Sequence, residues 1–196
     1  MNALLKLSRL IDALTELIGK SVVWIVLLVT LISSCNAVMR YTINFSTNGL
    51  LEIQWYLFGL IFLLSAGYTL LRNEHVRIDI ISGRFSARTQ VWIDIFGIIF
   101  FLMPMAITIM YLSWPIFLLA LQANEQSSNA GGLVVWPARL MIPVGFFLLV
   151  LQGFSELIKR VGFLQGLCPN PMEKADVLTP EEELALAIKA QKGELA

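Results

Sequence analysis

Four long apolar stretches divide the chain, and each is long enough to cross a membrane. They run from Ser21 to Met39, from Leu50 to Leu71, from Val91 to Leu121 and from Trp136 to Leu157. A helix of about 20 apolar residues crosses a hydrocarbon core of about 30 Å. The pattern therefore predicts an all-α integral membrane protein with four transmembrane helices.

The third stretch is too long for one helix perpendicular to the membrane, because a straight helix of about 31 residues would measure roughly 46 Å. Pro104 and Pro115 lie within it, and each proline removes a backbone donor from a helix. We expect a kink near Pro104 and a break near Trp114-Pro115, which would end the third span at about residue 113. The polar segment 122–132 then predicts a solvated loop before the fourth span.

An amphipathic segment precedes the first span. Its apolar side chains recur at steps of three and four, at Leu4, Leu7, Ile11, Leu14 and Ile18, with charged residues between them. This spacing is typical of a helix with one apolar face. We expect an interfacial helix that lies along the membrane surface. Docking against another protein subunit would need the same apolar face, so both interpretations stay open.

Basic residues accumulate at one set of span ends, which predicts the orientation of the chain. One side has Lys6, Arg9, Lys20, Arg72, Arg77, Arg84, Arg88, Lys159 and Arg160, whereas the other has Arg40 and Arg139. Lysine and arginine concentrate on the cytoplasmic side of membrane proteins. Both termini and the loop 72–90 are therefore expected in the cytoplasm. Residues 1–165 would form the membrane domain and residues 166–196 a cytoplasmic tail, either with a short helix near 180–191 or largely frayed.

Composition narrows the class of protein further. The chain is 57% hydrophobic and 14% charged, with a mean hydropathy of +0.75, whereas soluble domains carry about 25% charged residues. Its net charge of zero gives no electrostatic reason to expect a nucleic-acid partner. One histidine and two widely separated cysteines, Cys35 and Cys168, do not supply the ligands of a zinc or bis-histidine haem site. We expect no metal, no cofactor and no disulfide.

Polar side chains inside the predicted spans are few, and Asn36, Asp94 and Gln152 are the main ones. Two helix faces combine small residues with such groups: Gly59, Leu63, Ala66 and Gly67 in span two, and Gly145, Leu149, Gln152, Gly153 and Glu156 in span four. Small residues let helices approach closely, and an amide can bond from one helix to another. These faces predict tight helix packing and give little support to an ion or substrate path.

The densest charged cluster follows span two and contains Arg72, His75, Arg77 and Asp79. From its polarity it is a solvated cytoplasmic loop. An acid–base pair of His75 with Glu74 or Asp79 would have no nucleophile, oxyanion donors or metal ligands beside it, so we expect no catalytic residues.

On the opposite side, Arg40, Glu52, Trp136 and Arg139 are the charged or large aromatic residues near span ends. These residues would either contact a periplasmic partner or have local roles. In the local interpretation, Arg40 extends to the headgroups, Glu52 pairs with a neighbouring arginine, and Trp136 anchors its helix at the interface.

Several motifs lie along this four-span layout. Glu52-Ile-Gln-Trp-Tyr56 opens span two, Gly67-Tyr-Thr-Leu-Leu-Arg72 closes it, and Glu74-His-Val-Arg-Ile-Asp79 follows. Together with Ser128-Asn-Ala-Gly-Gly-Leu133, Trp136-Pro137 and the stretch from Pro143 to Lys159, they resemble the small permease subunit of tripartite ATP-independent periplasmic (TRAP) transporters, the DctQ-like component. The resemblance covers roughly residues 5 to 165, and the His-Val-Arg-Ile-Asp element is its most specific part.

The resemblance implies a scaffold subunit in a bacterial inner membrane and no enzyme activity. Its partners would be a large DctM-like permease subunit, a periplasmic solute-binding protein and membrane lipid, in sodium-driven symport of an organic acid such as a carboxylate or keto acid. The His75 to Asp79 element would stabilise the cytoplasmic loop or the large-subunit contact, and Arg40 or Arg139 would meet the binding protein. The alternative is an autonomous homo-oligomeric channel or transporter whose pore uses Asn36, Gln152 and the hydroxyls of span one.

Overall fold

Helices make up most of the computed structural model, which describes residues 2–73 and 86–168. Helix α1 spans Asn2–Ile43, α2 spans Asn48–Leu71, α3 spans Ala87–Gly97, a π-helical turn spans Ile98–Leu102, α4 spans Met103–Gln122 and α5 spans Trp136–Leu164. Helix α1, helix α2, the unit from α3 to α4, and helix α5 are each long and apolar enough to cross a membrane. The prediction of four spans is confirmed. The tail helix predicted near 180–191 lies outside the described residues.

Short polar residues mark where the helices begin and end. The Thr47 side chain accepts a hydrogen bond from the Leu50 N–H at the start of α2, and Ser86 does the same for Thr89 at the start of α3. Such caps satisfy backbone donors that a helix leaves unpaired. Asparagines with positive φ follow three helices: Asn44 at 52°, Asn73 at 54° and Asn124 at 45°. Asparagine tolerates this left-handed conformation, which ends a helix.

The third span differs from its prediction at its outer half. Pro115 lies inside α4, which continues to Gln122, so the break expected near Trp114-Pro115 is wrong. One proline removes one backbone hydrogen bond, whereas a helix that ended there would leave up to four carbonyls without donors in hydrocarbon. Pro104 is accommodated differently, because a π-helical turn ends two residues before it and the Met103 N–H donates to the Ile98 carbonyl.

The N-terminal segment was expected to form a separate interfacial helix, but it is the first part of the helix that forms span one. Helix α1 is continuous from Asn2 to Ile43, since no proline or asparagine interrupts it near residue 20 and Gly19 packs against Tyr68. In its first half, Ser8, Ile11 and Thr15 are buried, whereas Leu4, Leu7 and Leu14 of the predicted apolar stripe are exposed. Whether that stripe lies in the acyl boundary stays a prediction.

Helix α5 lies at the centre of the fold and contacts α1, α2 and α4. The predicted packing face of span four is confirmed, because all five of its residues are buried: Gly145, Leu149, Gln152, Gly153 and Glu156. A Cβ on Gly145 would lie 2.6 Å from the Cβ of Leu63, so the glycine lets α2 approach. In span two, Gly59 is exposed and nothing in the described chain lies within 4 Å of a Cβ built on it, so close packing at this glycine stays a prediction.

The helix ends group into two regions. The inner end contains the first turns of α1 and α3 and the last turns of α2 and α5, and the outer end contains the 44–47 turn and the 123–135 loop. Each end carries one cluster of polar side chains, and these two clusters are the candidate sites.

Candidate functional site

A buried carboxylate organises the outer end. Glu52 stands in the second turn of α2 and is 4% exposed. Its Oε1 accepts hydrogen bonds from the Ser127 hydroxyl and from Asn129 Nδ2 at 2.8 Å, and its Oε2 accepts from the Leu133 backbone N–H at 2.7 Å. We call Glu52 and these three donors the outer cage. A single loop therefore encloses the carboxylate with neutral donors.

The loop that forms the outer cage is a small hairpin. The Ser127 N–H donates to the Leu133 carbonyl at 2.9 Å, and the Val135 N–H donates to the Glu125 carbonyl at 2.9 Å. Gly132 is needed for close approach, because a Cβ there would lie 2.8 Å from Glu52 Oε1. The loop residues thus form a fixed structure that is pinned to the start of α2.

The local role expected for Glu52 was a pair with an arginine, and this expectation is wrong. The arginine nearest in sequence to the loop, Arg139, pairs instead with Glu125 at 2.6 Å. The Glu52 carboxylate binds Ser127 and Asn129 instead of an arginine, because the hairpin brings these two donors to the first turns of α2. The sequence signal was the group of short polar residues and glycines in the loop, which indicated only a solvated turn.

Gln152 joins two helices at the inner end. Its Oε1 accepts a hydrogen bond from the Thr15 hydroxyl at 2.8 Å, and its Nε2 donates to Asp12 Oδ1 at 3.0 Å. Asp12 Oδ1 also accepts from the Ser155 hydroxyl at 2.7 Å, and Ser155 and Ser8 share a hydrogen bond of 2.7 Å. The polar face of α1 therefore packs on the polar face of α5, and the fully buried Gln152 has partners for both ends of its amide.

Ion pairs extend this contact to α3. Arg160 is 1% exposed and donates to Asp94 at 3.1 Å and to Glu156. Lys159 pairs with Asp12 at 3.2 Å and with Glu156. We call this set the inner network: Asp12, Asp94, Gln152, Ser155, Glu156, Lys159 and Arg160. Sequence analysis placed Arg160 among the flanking basic residues and missed its burial; the four-residue spacing of Gln152, Glu156 and Arg160 was the available signal.

Glu16 forms two further ion pairs at the inner end. Glu16 pairs with Lys20 and with Arg72, each at 3.0 Å. Arg72 also lies over the Tyr68 ring, 5.4 Å from its centroid. Arg72 therefore bridges α2 and α1, and the paired groups can hold helices together without supplying a reactive group.

The remaining predicted residues are not brought together. Arg40 is exposed in the last turn of α1, and Trp136 is half-buried at the start of α5. His75, Arg77 and Asp79 lie outside the described residues. Within 2–73 and 86–168, no three histidine, cysteine, aspartate or glutamate side chains are grouped so as to hold a metal ion.

These observations define a class: a multi-span helical membrane protein whose described polar side chains mostly bind one another and join its own helices. The chain belongs to the DctQ family, because residues 29–162 match the DctQ component of tripartite ATP-independent periplasmic transporters. The resemblance seen in the motifs is thereby confirmed, and the family is a transporter component and not a family of enzymes. The matched residues include the outer cage and the α5 half of the inner network. Comparison with curated proteins and with solved structures found no match.

Proposed function

We propose that this chain is a scaffold subunit that supports a large permease subunit and a periplasmic solute-binding protein in sodium-driven uptake of an organic acid. The observation that carries the proposal is the family match over residues 29–162, which covers all or part of every span. The internal pairing of the buried polar groups supports it. A subunit that braces a transport partner needs stable packing faces and no membrane-buried ion ligands of its own.

The proposal includes an orientation in a bacterial inner membrane. The inner end, where Arg72, Lys159 and Arg160 lie, would face the cytoplasm, and the outer cage would face the periplasm. Basic residues near span ends support this direction. The sodium and solute sites would belong to the large subunit, and the binding protein would deliver the solute to the periplasmic surface.

An autonomous channel is less well supported by the contacts of its proposed pore groups. Asn36 is buried and accepts a hydrogen bond from Ser46 at 3.3 Å. Thr30 donates to the Val26 carbonyl within its own helix at 2.8 Å, and Gln152 is enclosed between α1 and α5. Because these groups already have hydrogen-bond partners within the chain, they do not form a continuous polar lining for a pore.

Arg40 is the residue that we propose for contact with the binding protein. It is exposed at the outer end of α1 and forms no ion pair with any described residue. Arg139, the other basic residue of this side, is already paired with Glu125. An exposed cation can steer a charged partner and mainly affects its association rate.

Reconstitution in liposomes tests the proposed function. Vesicles would contain this chain alone, the large subunit alone, or both, and a panel of labelled organic acids would be offered with binding protein under an inward sodium gradient. We expect uptake above empty vesicles only with both subunits. Solute movement by this chain alone, or full-rate uptake by the large subunit without it, would contradict the scaffold role.

A further inference from the structure

A groove opens between α2 and the third span, with α5 behind it, and its volume is about 540 Å³. Its floor consists of three buried side chains from three different elements: Leu70, Ile98 and Leu149. Its rim consists of three exposed apolar side chains: Ile93, Phe101 and Met105. Asp94 and Arg160 also line it. We call this space the inner groove. Because three helical units surround it, the inner groove differs from the outward face of a single helix.

Small residues leave this space open. Gly97 ends α3 and lines the inner groove, and no described atom lies within 4 Å of a Cβ built on it. Ala66 of α2 lines the same space with a single methyl group. Apart from the ion pair of Asp94 with Arg160, the lining named here is apolar. A buried water needs two to four polar partners, so an apolar occupant suits this space better than water.

The polar end of the inner groove lies near the inner membrane interface. A Cβ built on Gly67 would lie 3.8 Å from the Cβ of Gln152, so these two residues stand at the same level. Arg72 follows Gly67 by about 8 Å of helix, and Arg160 follows Gln152 by about 12 Å. Arg72 ends the apolar stretch of α2. The ion pair of Arg160 is therefore near the level of the lipid headgroups.

The inner groove is as deep as one leaflet of the membrane. Leu149 precedes Arg160 by about 16 Å along α5, and Met105 follows Asp94 by the same length along the third span. A hydrocarbon core of about 30 Å gives each leaflet about 15 Å. Both walls of the groove thus run from the headgroup level to about the middle of the membrane.

The volume of the inner groove suits a narrow occupant. A helix of about 10 Å diameter would fill roughly 1,200 Å³ over the same length, which is more than twice the volume of the groove. The backbone of a partner helix could lie only on the rim. An acyl chain is a single row of methylene groups, so it can reach the floor formed by Leu70, Ile98 and Leu149.

We propose that the inner groove binds one acyl chain of a phospholipid from the leaflet at the inner end of the fold. The headgroup lies beside the ion pair of Asp94 with Arg160, and the chain extends along the apolar floor. The polar end and the apolar length of the groove follow the same order as the parts of a phospholipid. The bound lipid joins α2 to the third span, which both pack on α5. This inference is independent of the proposed function.

Native mass spectrometry of the full chain, released from mild detergent after excess lipid is removed, tests the proposal. We expect one phospholipid to stay bound per chain. Gly97→Phe should lower this occupancy at least about fivefold, because the ring takes up space that the acyl chain needs. Gly59→Phe is the matched control, since Gly59 also has open space around a built Cβ but does not line the inner groove. Its occupancy should equal that of the unsubstituted chain.

Photolabelling of the unsubstituted chain gives a second test that does not depend on a variant. The chain, with any partner that co-purifies, is placed in nanodiscs that contain a phosphatidylethanolamine with a diazirine midway along one acyl chain. Leu149 and Val29 are both buried, but only Leu149 lines the inner groove. We expect at least about fivefold more labelling at Leu149 than at Val29. Phe62, which is exposed on α2, reports that labelling has worked.

Two outcomes would overturn the proposal. Equal lipid occupancy in Gly97→Phe and Gly59→Phe would show that the inner groove does not hold the lipid. Labelling of Phe62 without labelling of Leu149 would show that lipid does not enter the groove, whether another protein covers it or the helices close it. If Gly97→Phe fails to fold, the photolabelling result decides the matter.

Discussion

Removing the carboxylate of Glu52 should release the outer hairpin. In Glu52→Ala, the Ser127 hydroxyl, the Asn129 amide and the Leu133 N–H all lose their acceptor at once. Glu52→Gln should stabilise the closed hairpin only slightly more than Glu52→Ala does. Its amide oxygen can still accept hydrogen bonds, but its NH₂ group would face a partner that is also a donor. The hairpin would keep its backbone bonds between Ser127 and Leu133, so we expect local opening and not loss of the fold.

The size of the effect follows from the number of bonds. One net hydrogen bond changes an equilibrium constant by roughly a factor of five. Three bonds that open together would then raise the open fraction of the hairpin by about 100-fold. The ion pair of Arg139 with Glu125 is a suitable contrast, because both side chains are partly exposed. Loss of an exposed ion pair of this kind changes the equilibrium constant for local opening by less than about fivefold.

Hydrogen exchange in lipid nanodiscs measures this difference. Peptides that cover 126–134 should exchange about 100-fold faster in Glu52→Ala and less than about fivefold faster in Glu125→Ala. A peptide from the buried part of α5 should be unchanged in both variants. Equal exchange of the hairpin in Glu52→Ala and the unsubstituted chain would refute the assignment of Glu52 as the residue that pins this loop.

Two further predictions concern helix packing. Gly145→Ala should lower the free energy of unfolding by about 1–3 kcal/mol, because its methyl group would overlap Leu63. Gly59→Ala should be neutral or slightly stabilising, since the site is open. Thermal unfolding of the purified chain measures both effects, and equal effects of the two variants would contradict the packing of Gly145 against Leu63. Arg160→Met should cost about 3 kcal/mol, because it removes the buried cation that Asp94 and Glu156 share, whereas Lys20→Met should cause no measurable change. The same assay applies, and an Arg160→Met chain of unchanged stability would show that the inner network is dispensable.

The four spans were predictable because their signal is local. The length of an uncharged apolar stretch determines whether it crosses a membrane, and that length is read directly from neighbouring residues. The same is true of the α5 packing face, where Gly145, Gln152 and Glu156 repeat at helical steps. The family resemblance also rested on short local motifs, and the match over 29–162 confirmed it.

The polar contacts were not predictable, because they join residues that are distant in sequence. Asp12 and Gln152 are 140 positions apart, and Glu52 and Leu133 are 81 apart. The hydrophobic pattern of a helix predicts which of its faces is buried, but it does not predict which other helix packs against that face. The sequence analysis assigned no role to Ser8 and Thr15, yet they are buried against α5 because its polar residues offer them hydrogen-bond partners.

Pro115 shows where a local rule is outweighed. The preference of proline for helix ends is about 3 kcal/mol, which decides the outcome in a solvated helix. In an apolar span, a helix end would leave several carbonyls unpaired, and continuing to Gln122 costs less. The end occurs instead beyond Gln122, where Asn124 adopts positive φ and the loop begins.

The central claim is that this chain works as one subunit of a larger membrane complex. The most direct test is affinity purification of the tagged chain from its native membrane in mild detergent, with mass spectrometry of the proteins that co-elute. The account predicts a large multi-span permease subunit in constant proportion to the chain. Elution of the chain alone, as a homogeneous homo-oligomer, would contradict it.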